Sequence, residues 1–384
     1  MDNLFFTDEH IMIRDMVREF ADTEITPVAR DLDEQGEFPT ALVNKMGELG
    51  LMGILIPEEY GGSGLDMVAF ATAIIELARA DASVAITMAA HTSLGSLPIL
   101  MFGSEQQKNT YLPKLATGEM LGAFGLTEPD AGSDAGATKT KAVRDGDEYV
   151  VNGGKIFITN AGKAGVLSFT SQVIENGKNL GIAAFSISTN TPGLEIGPKE
   201  KKMGWHASDT RQLFFKDMRI QATSILGTPA NGFKTFLKTL TSGRVSIGAL
   251  SIGTALGAYE RALVYSTERI AFGKPINNFQ SVGFKLADMA TKIEASKLLV
   301  FHAAWMKDQG LDITKEAAMA KLFASETAME VTTEAIQIHG GYGYVKEYDV
   351  ERFFRDAKIL EIGEGTSEIQ RLIISREILK EIQI

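Results

Sequence analysis

Tyr149-Val150-Val151-Asn152-Gly153-Gly154-Lys155-Ile156-Phe157-Ile158 is where the periodicity of the chain changes. Before it, apolar residues recur every three to four positions; here they begin to alternate, the spacing of a half-buried strand. The β-favouring runs on either side of Asn152-Gly153 read as a hairpin, because Asn-Gly supplies the left-handed backbone that a two-residue turn requires. Residues 166–173 and 181–187 repeat the pattern around Glu175-Asn176-Gly177-Lys178, and residues 212–215 add a later strand. Residues 120–228 therefore read as a small antiparallel β domain. On its N-terminal side the spacing is helical. Thr7 suits an N-cap, Asp8 and Glu9 suit a first turn, and Ile13, Met16, Val17 and Phe20 share one face. Pro39-Thr40 opens a shorter helix that Gly50 ends, residues 57–64 are loop, and two further helical stretches reach Thr117. After Pro229 the helices are long, with Leu286, Met289, Ala290 and Ile293 on one core-facing stripe. The expected class is α+β: an N-terminal helical domain (1–119), a middle β domain (120–228) and a C-terminal helical bundle (229–384).

Composition removes several functions. With 38 basic and 49 acidic residues the net charge is −11, a poor match for nucleic acid or an anionic membrane. The absence of Cys excludes disulfides, thiolate metal sites, iron–sulfur ligation and Cys nucleophiles, and suits a reducing compartment. Met1-Asp2-Asn3-Leu4 has no basic leader character, so the chain is expected to be cytoplasmic. The most apolar run, residues 84–101, is interrupted by polar residues, Gly95 and Pro98, and reads as buried helix rather than a membrane span. No Gly-Lys pair is followed by Ser or Thr, so there is no P-loop. No Gly-x-Gly-x-x-Gly follows a strand, and no Gly-x-Ser-x-Gly elbow occurs. The five His show no metal spacing.

Two polar turns remain. Near the C-terminus, Ile359-Leu360-Glu361-Ile362-Gly363-Glu364-Gly365-Thr366-Ser367-Glu368-Ile369-Gln370-Arg371 places Glu364 between two glycines. Ser367 and Gln370 have the spacing of a capping box that opens a last helix. A carboxylate there is favoured by the helix dipole, so on these residues alone Glu364 reads as a solvated helix-start acid. Far upstream, Phe124-Gly125-Leu126-Thr127-Glu128-Pro129-Asp130-Ala131-Gly132-Ser133-Asp134 offers backbone N–H groups and hydroxyls to a polar planar or anionic ligand.

Together these segments resemble acyl-CoA dehydrogenases, most closely the short-chain (butyryl-CoA) branch. Phe157-Ile158-Thr159-Asn160, Arg269-Ile270-Ala271-Phe272-Gly273-Lys274-Pro275 and Gln337-Ile338-His339-Gly340-Gly341-Tyr342-Gly343 add to the resemblance, in the family's order and spacing. It implies FAD as cofactor. Phe124, Gly125, Leu126, Thr127 and Ser133 would hold the flavin edge, and Phe157, Ile158 and Thr159 the other face. Arg269, Phe272, Gln280, Gln337, Ile338, His339, Gly340 and Gly341 would hold the pyrophosphate and adenosine, partly from a neighbouring subunit. Thr366, Ser367 and Glu368 would complete the cofactor site. Ser133, Thr241, Ser242, Gly243, Arg244 and Gly365 would touch the acyl-CoA.

By the same resemblance Glu364 is the base that takes the α proton of the thioester, while FAD takes the β hydride. The product is a trans-2-enoyl-CoA, and an electron-transfer flavoprotein receives the electrons. Some relatives carry the base immediately before an Arg on an earlier helix. That position is Gly243 here, which points back to Glu364. No Arg or Lys lies between Asp81 and Gly103, so a dicarboxylyl substrate is not expected. Two departures bear on substrate, Gly363 where many relatives have Tyr and Thr241-Ser242 in place of an Asp-containing pair; on the flavin face, Phe157 stands where many relatives have Trp. A homo-oligomer, a tetramer, is the implied assembly. A branched- or medium-chain dehydrogenase is the alternative, followed by an acyl-CoA oxidase or a non-catalytic acyl-CoA-binding protein.

Overall fold

The computed structural model describes residues 2–229 and 232–382. Met1 and Ile384, the outer bounds of the first and last expected domains, lie outside the described residues, as do Ala230 and Asn231. A short α1 (Asp2–Phe5) precedes α2 (Asp8–Phe20). Thr7 caps α2 as expected, its hydroxyl accepting from the His10 amide while the His10 ring reaches back to the Thr7 amide. Then follow α3 (Ala29–Gln35), α4 (Thr40–Glu48), α5 (Met67–Ala80), α6 (Ala82–Ala90), α7 (Leu97–Phe102) and α8 (Glu105–Ala116). The two helical stretches expected before Thr117 are thus four. α6 and α7 are joined through a wide helical turn at His91–Ser96, and the run Ala82–Phe102 is mostly buried, a core helix. Buried His91 fixes this run to its neighbours. Its Nε2 donates to the Met52 and Leu115 carbonyls and its Nδ1 accepts from the Gly122 amide, while burial lowers its pKa to about 4 and keeps it neutral.

The middle block contains β1 (Leu121–Gly125), β2 (Lys141–Asp145), β3 (Glu148–Thr159), β4 (Ala164–Glu175), β5 (Lys178–Ser188), β6 (Leu194–Lys199), β7 (Thr210–Gln221) and β8 (Ile225–Leu226). The sheet order is β6-β7-β3-β2-β4-β5-β8, with β1 on β4. It is antiparallel except that β1 and β2 each run parallel to β4. Asn176-Gly177 makes the expected β4–β5 turn, with φ of 49° and 73°. Asn152-Gly153 does not turn. β3 passes straight through it, and the true hairpin is β2–β3, closed at Gly146 and Asp147. The register of β3 against β7 slips between Val151 and Gly153, so the dipeptide forms a bulge. Gly153 has φ 141°, and a Cβ there would lie 2.6 Å from the Thr140 hydroxyl. The Asn152 side chain is spent on Asp217 of β7, accepting from its amide and donating to its carboxylate.

The last block holds α9 (Gly232–Glu268), the two-residue strands β9 (Ile270–Ala271) and β10 (Lys274–Pro275), α10 (Gln280–Asp308), α11 (Thr314–His339), α12 (Val350–Ala357) and α13 (Ser367–Ile382). Leu286, Met289 and Ile293 are buried as expected, whereas Ala290 is half-buried. A single apolar core runs from Val17 of α2 through α5 and α9 to Leu360, so the first and last helical blocks fold as one mass beside the sheet. α9 packs directly on the α5 backbone: a Cβ at Gly253 would come within 2.4 Å of the Ile75 carbonyl. A buried ionic staple joins all three blocks. Arg352 of α12 binds Asp81 at 2.8 Å, Asp356 accepts from the Trp205 amide, and Arg355 pairs with Asp33.

Candidate functional site

Glu364 belongs to a turn of unusual backbone. The 3-10 segment Lys358–Glu361 ends at Ile362, after which Glu364 has φ 52° and Gly365 φ 97°. A left-handed Glu is strained relative to Gly, and it turns the carboxylate inward instead of along the coming helix. Thr366, not Ser367, caps α13: its hydroxyl accepts from the Ile369 amide at 3.3 Å. Gln370 therefore does not complete a capping box with Ser367. It turns back, donating to the Gly365 carbonyl at 2.8 Å and the Glu364 carbonyl at 3.4 Å.

The Glu364 carboxylate reaches α9 at Gly243, which has no side chain to obstruct it. A Cβ on Gly243 would lie 1.9 Å from Glu364 Oε2 and 3.4 Å from Leu94 Cδ2. Oε2 is shielded from solvent and has no hydrogen-bond partner among the described residues. Burial pushes the Glu364 pKa up to about 7, against the attraction of Lys321 and Arg244. Ser242 Oγ, Arg244 Nε, Ser367 Oγ and Gln370 Oε1 are likewise buried without partners. Unsatisfied buried polar atoms gathered this densely fit a site completed by the donors and acceptors of a ligand.

The upstream loop lies on the other side of Leu94. Phe124 stacks on Phe236 of α9 with ring centres 4.1 Å apart, and Leu94 and Leu126 pack on that pair. Beneath the loop Glu128 and Lys155 form a buried ion pair at 2.7 Å. The Lys155 ammonium also donates to the Leu126 carbonyl and to the Thr138 and Thr170 hydroxyls. Burial would raise the Glu128 pKa, but the Lys155 charge and three donors from residues 138–140 hold it down at about 2. The loop ends are thus fixed while Ser133 stays exposed. At the end of β3 a second register slip and a left-handed Phe157 (φ 62°) turn that ring out of the sheet, leaving it 63% exposed beside buried Ile158. Thr159 is half-buried.

The remaining expected residues gather elsewhere. Tyr265, Arg269, Ile276, Ile338, His339, Gly340, Gly341 and Tyr342 line a cavity of about 500 Å³. Arg269 lies over the Tyr342 ring at 5.4 Å, and His339 stacks on Tyr265. Phe272, at the tip of the β9–β10 hairpin, is 96% exposed, and Gln337 and Gln280 are also exposed, Gln280 at the start of α10. Gly243 and Arg269 are 26 positions apart along α9, which at ~1.5 Å per residue is about 39 Å. One dinucleotide cannot span that distance.

The structure therefore divides the expected site residues into two groups. The Glu364 turn and Gly243-Arg244 form one group, which Leu94 joins to Phe124 and Leu126, and the Arg269 group stands apart. Thr241 bonds back to the Leu237 carbonyl, and Glu368 is exposed on the first turn of α13. Sequence reading missed Leu94, Lys155, Lys321 and Gln370. Lys321 left a signal: it interrupts the apolar stripe Ala317, Ala320, Ala324, Ala328 of α11.

Comparison with known proteins agrees over the whole length. Models of the N-terminal, middle and C-terminal domains of acyl-CoA dehydrogenase match residues 7–119, 123–218 and 230–379. A probable acyl-CoA dehydrogenase of Bacillus subtilis is 53% identical over 98% of this chain and 100% of its own length. Butyryl-CoA dehydrogenase from Megasphaera elsdenii superposes with a TM-score of 0.94 at 43% identity, covering 97% of this chain and 98% of that one. A chain solved in work on the electron transferring flavoprotein of Acidaminococcus fermentans and flavin-based electron bifurcation gives a TM-score of 0.95 at 46% identity, with coverages of 97% and 98%. The chain thus belongs to the acyl-CoA dehydrogenase family and is an oxidoreductase that uses FAD.

Proposed function

We propose that this protein desaturates a short, unbranched acyl-CoA thioester to the trans-2-enoyl-CoA, with Glu364 as the base that removes the α proton. The observation that carries the reading is the Glu364 carboxylate over bare Gly243, its Oε2 without a partner among the described residues and its pKa near 7. A general base works best when its pKa lies near the working pH, and burial provides that here. Bound FAD supplies the acceptor for the β hydride. The open loop at residues 127–133, the outward Phe157 ring and the Thr366 cap would hold its ring end. Ser242, Arg244 and the Glu364 turn would orient the thioester, and Leu94 would exclude water from the α carbon.

Similarity to butyryl-CoA dehydrogenase supports a short acyl chain. The apolar run Ala82–Phe102 carries no cation to pair with a second carboxylate. An electron-transfer flavoprotein is the acceptor in this reading, and the cytoplasm the compartment. Domain boundaries at 119/120 and 228/229 go with it, supported by the ranges that the family models match. The separation of about 39 Å between Gly243, which Glu364 faces, and Arg269 supports an assembly, a homotetramer, in which each FAD meets Glu364 of one protomer and Arg269 of another. Anaerobic mixing with butyryl-CoA tests the base. Glu364→Gln should keep FAD and bind the thioester yet lose flavin reduction by roughly two to four orders of magnitude. Bleaching at the wild-type rate would refute the reading, and a rate maximum at twelve or more carbons would refute the short-chain part.

A further inference from the structure

Helix α11 passes under the Glu364 turn and presents Lys321 to it. Lys321 is fully excluded from solvent, a position that lysine seldom occupies without a specific partner. Its one hydrogen bond among the described residues goes from Nζ to the Gly365 carbonyl, at 2.8 Å. That carbonyl also accepts from Gln370, so two buried donors converge on one oxygen in the turn where Glu364 and Gly365 are both left-handed.

We propose that Lys321 is a positioning residue for proton abstraction: its ammonium pins the Gly365 carbonyl, keeps the Glu364 carboxylate turned toward Gly243, and favours the ionised form of that carboxylate. The proposal rests on Glu364 being the base. Two cations act on Glu364, Lys321 from α11 and Arg244 from α9, and Lys321 exerts the stronger pull. Around Lys321 itself stand Glu364, Glu361 of the 3-10 turn, Arg244, and Glu326 on its own helix. Burial lowers the Lys321 pKa to about 8, which leaves the group largely protonated at neutral pH. An isolated surface role does not account for a lysine aimed at the backbone of the residue after the base. A purely structural clamp would fix the turn without setting when Glu364 ionises.

The distinction is measurable. The pH dependence of flavin reduction by butyryl-CoA is followed in single turnovers of FAD-loaded Lys321→Met, Lys321→Gln and Glu364→Gln enzymes. Removing the positive charge raises the Glu364 pKa further, so the rise of the rate with pH should move up by about one unit in both lysine variants. Lys321→Gln, which keeps a donor for the Gly365 carbonyl, should retain more of the limiting rate at high pH than Lys321→Met, and it serves in place of the Met variant should that one fail to hold FAD. Profiles that stay at the wild-type pH in the lysine variants, with Glu364→Gln inert, would overturn the role of Lys321 alone. A Glu364→Gln enzyme that reduces its flavin normally would remove the base, and the proposal with it.

Discussion

At Glu364 the needs of chemistry and of folding are opposed. The residue ionises near 4.5 ordinarily and at about 7 in the fold, because its carboxyl group is buried. A raised folded-state pKa means that the native protein holds the proton more tightly than the unfolded chain. The stability this contributes is complete below pH 4.5 and is lost as pH rises through about 7. Above that, the native state carries a buried carboxylate with no hydrogen bond to Oε2. Glu364→Gln should therefore stabilise the protein at pH 8, by on the order of 2 kcal/mol, and do little at pH 4. Thermal unfolding at saturating FAD and two pH values checks this; equal shifts at both would contradict it. By its own neighbours Glu364 read as a solvated helix-start acid, and only the resemblance carried by the segments upstream singled it out. The cap was misread by one position, since Thr366 and Ser367 are equally good caps by type. Only the left-handed backbone before them decides that Thr366 serves and that Gln370 turns back.

Elements show the same boundary between local and distant information. Helices α2, α4 and α9–α11 could be read because their apolar spacing is local. Asn152-Gly153 was misread because the same dipeptide suits a tight turn and a bulge. The choice falls to β7, about sixty residues later, whose Asp217 takes both hydrogen bonds of the Asn152 amide. Lys155 was invisible as a site residue for a related reason, as its partner Glu128 comes from another element. The α12 staple is likewise nonlocal, with Asp81 and Arg352 both nearly solvent-free. Replacing Arg352 by Leu leaves Asp81 at a helix junction without its counter-ion. Asp356, already raised to about 7 by burial, would lose the same support. The expected cost is about 3–5 kcal/mol, seen as a marked fall in the thermal midpoint. Reduction of flavin by substrate in whatever protein stays folded should be near normal, because the staple touches neither Glu364 nor the 124–133 loop. A variant as stable as wild type would show that the pair contributes nothing.

On the scale of the molecule, the organising object is α9, a single rod of 37 residues with Gly243 in its first half and Arg269 just beyond its C-terminal end. Its stiffness fixes Gly243 and Arg269 about 39 Å apart within a protomer. The fold was legible as helical, β and helical blocks, but this separation could not be read before the helix was known to be unbroken. If each FAD joins two chains, cofactor and assembly are linked by mass action, and Arg269→Ala should lower FAD occupancy and subunit association together. Sedimentation with simultaneous flavin absorbance measures both, and a monomer that keeps its FAD at nanomolar concentration would refute the linkage.

The length of α9 also has a genetic consequence. A protomer with Gln at 364 still offers an intact Arg269 to its neighbour, and one with Ala at 269 still offers an intact Glu364. Two chains that are inactive alone can then rescue each other when made in one cell, since every mixed pair contains one unblemished site. Random pairing of equal amounts predicts recovery of about a quarter of wild-type activity in two-fold assemblies. Two lesions on the same side of the division, Glu364→Gln with Arg244→Glu for instance, should not complement at all.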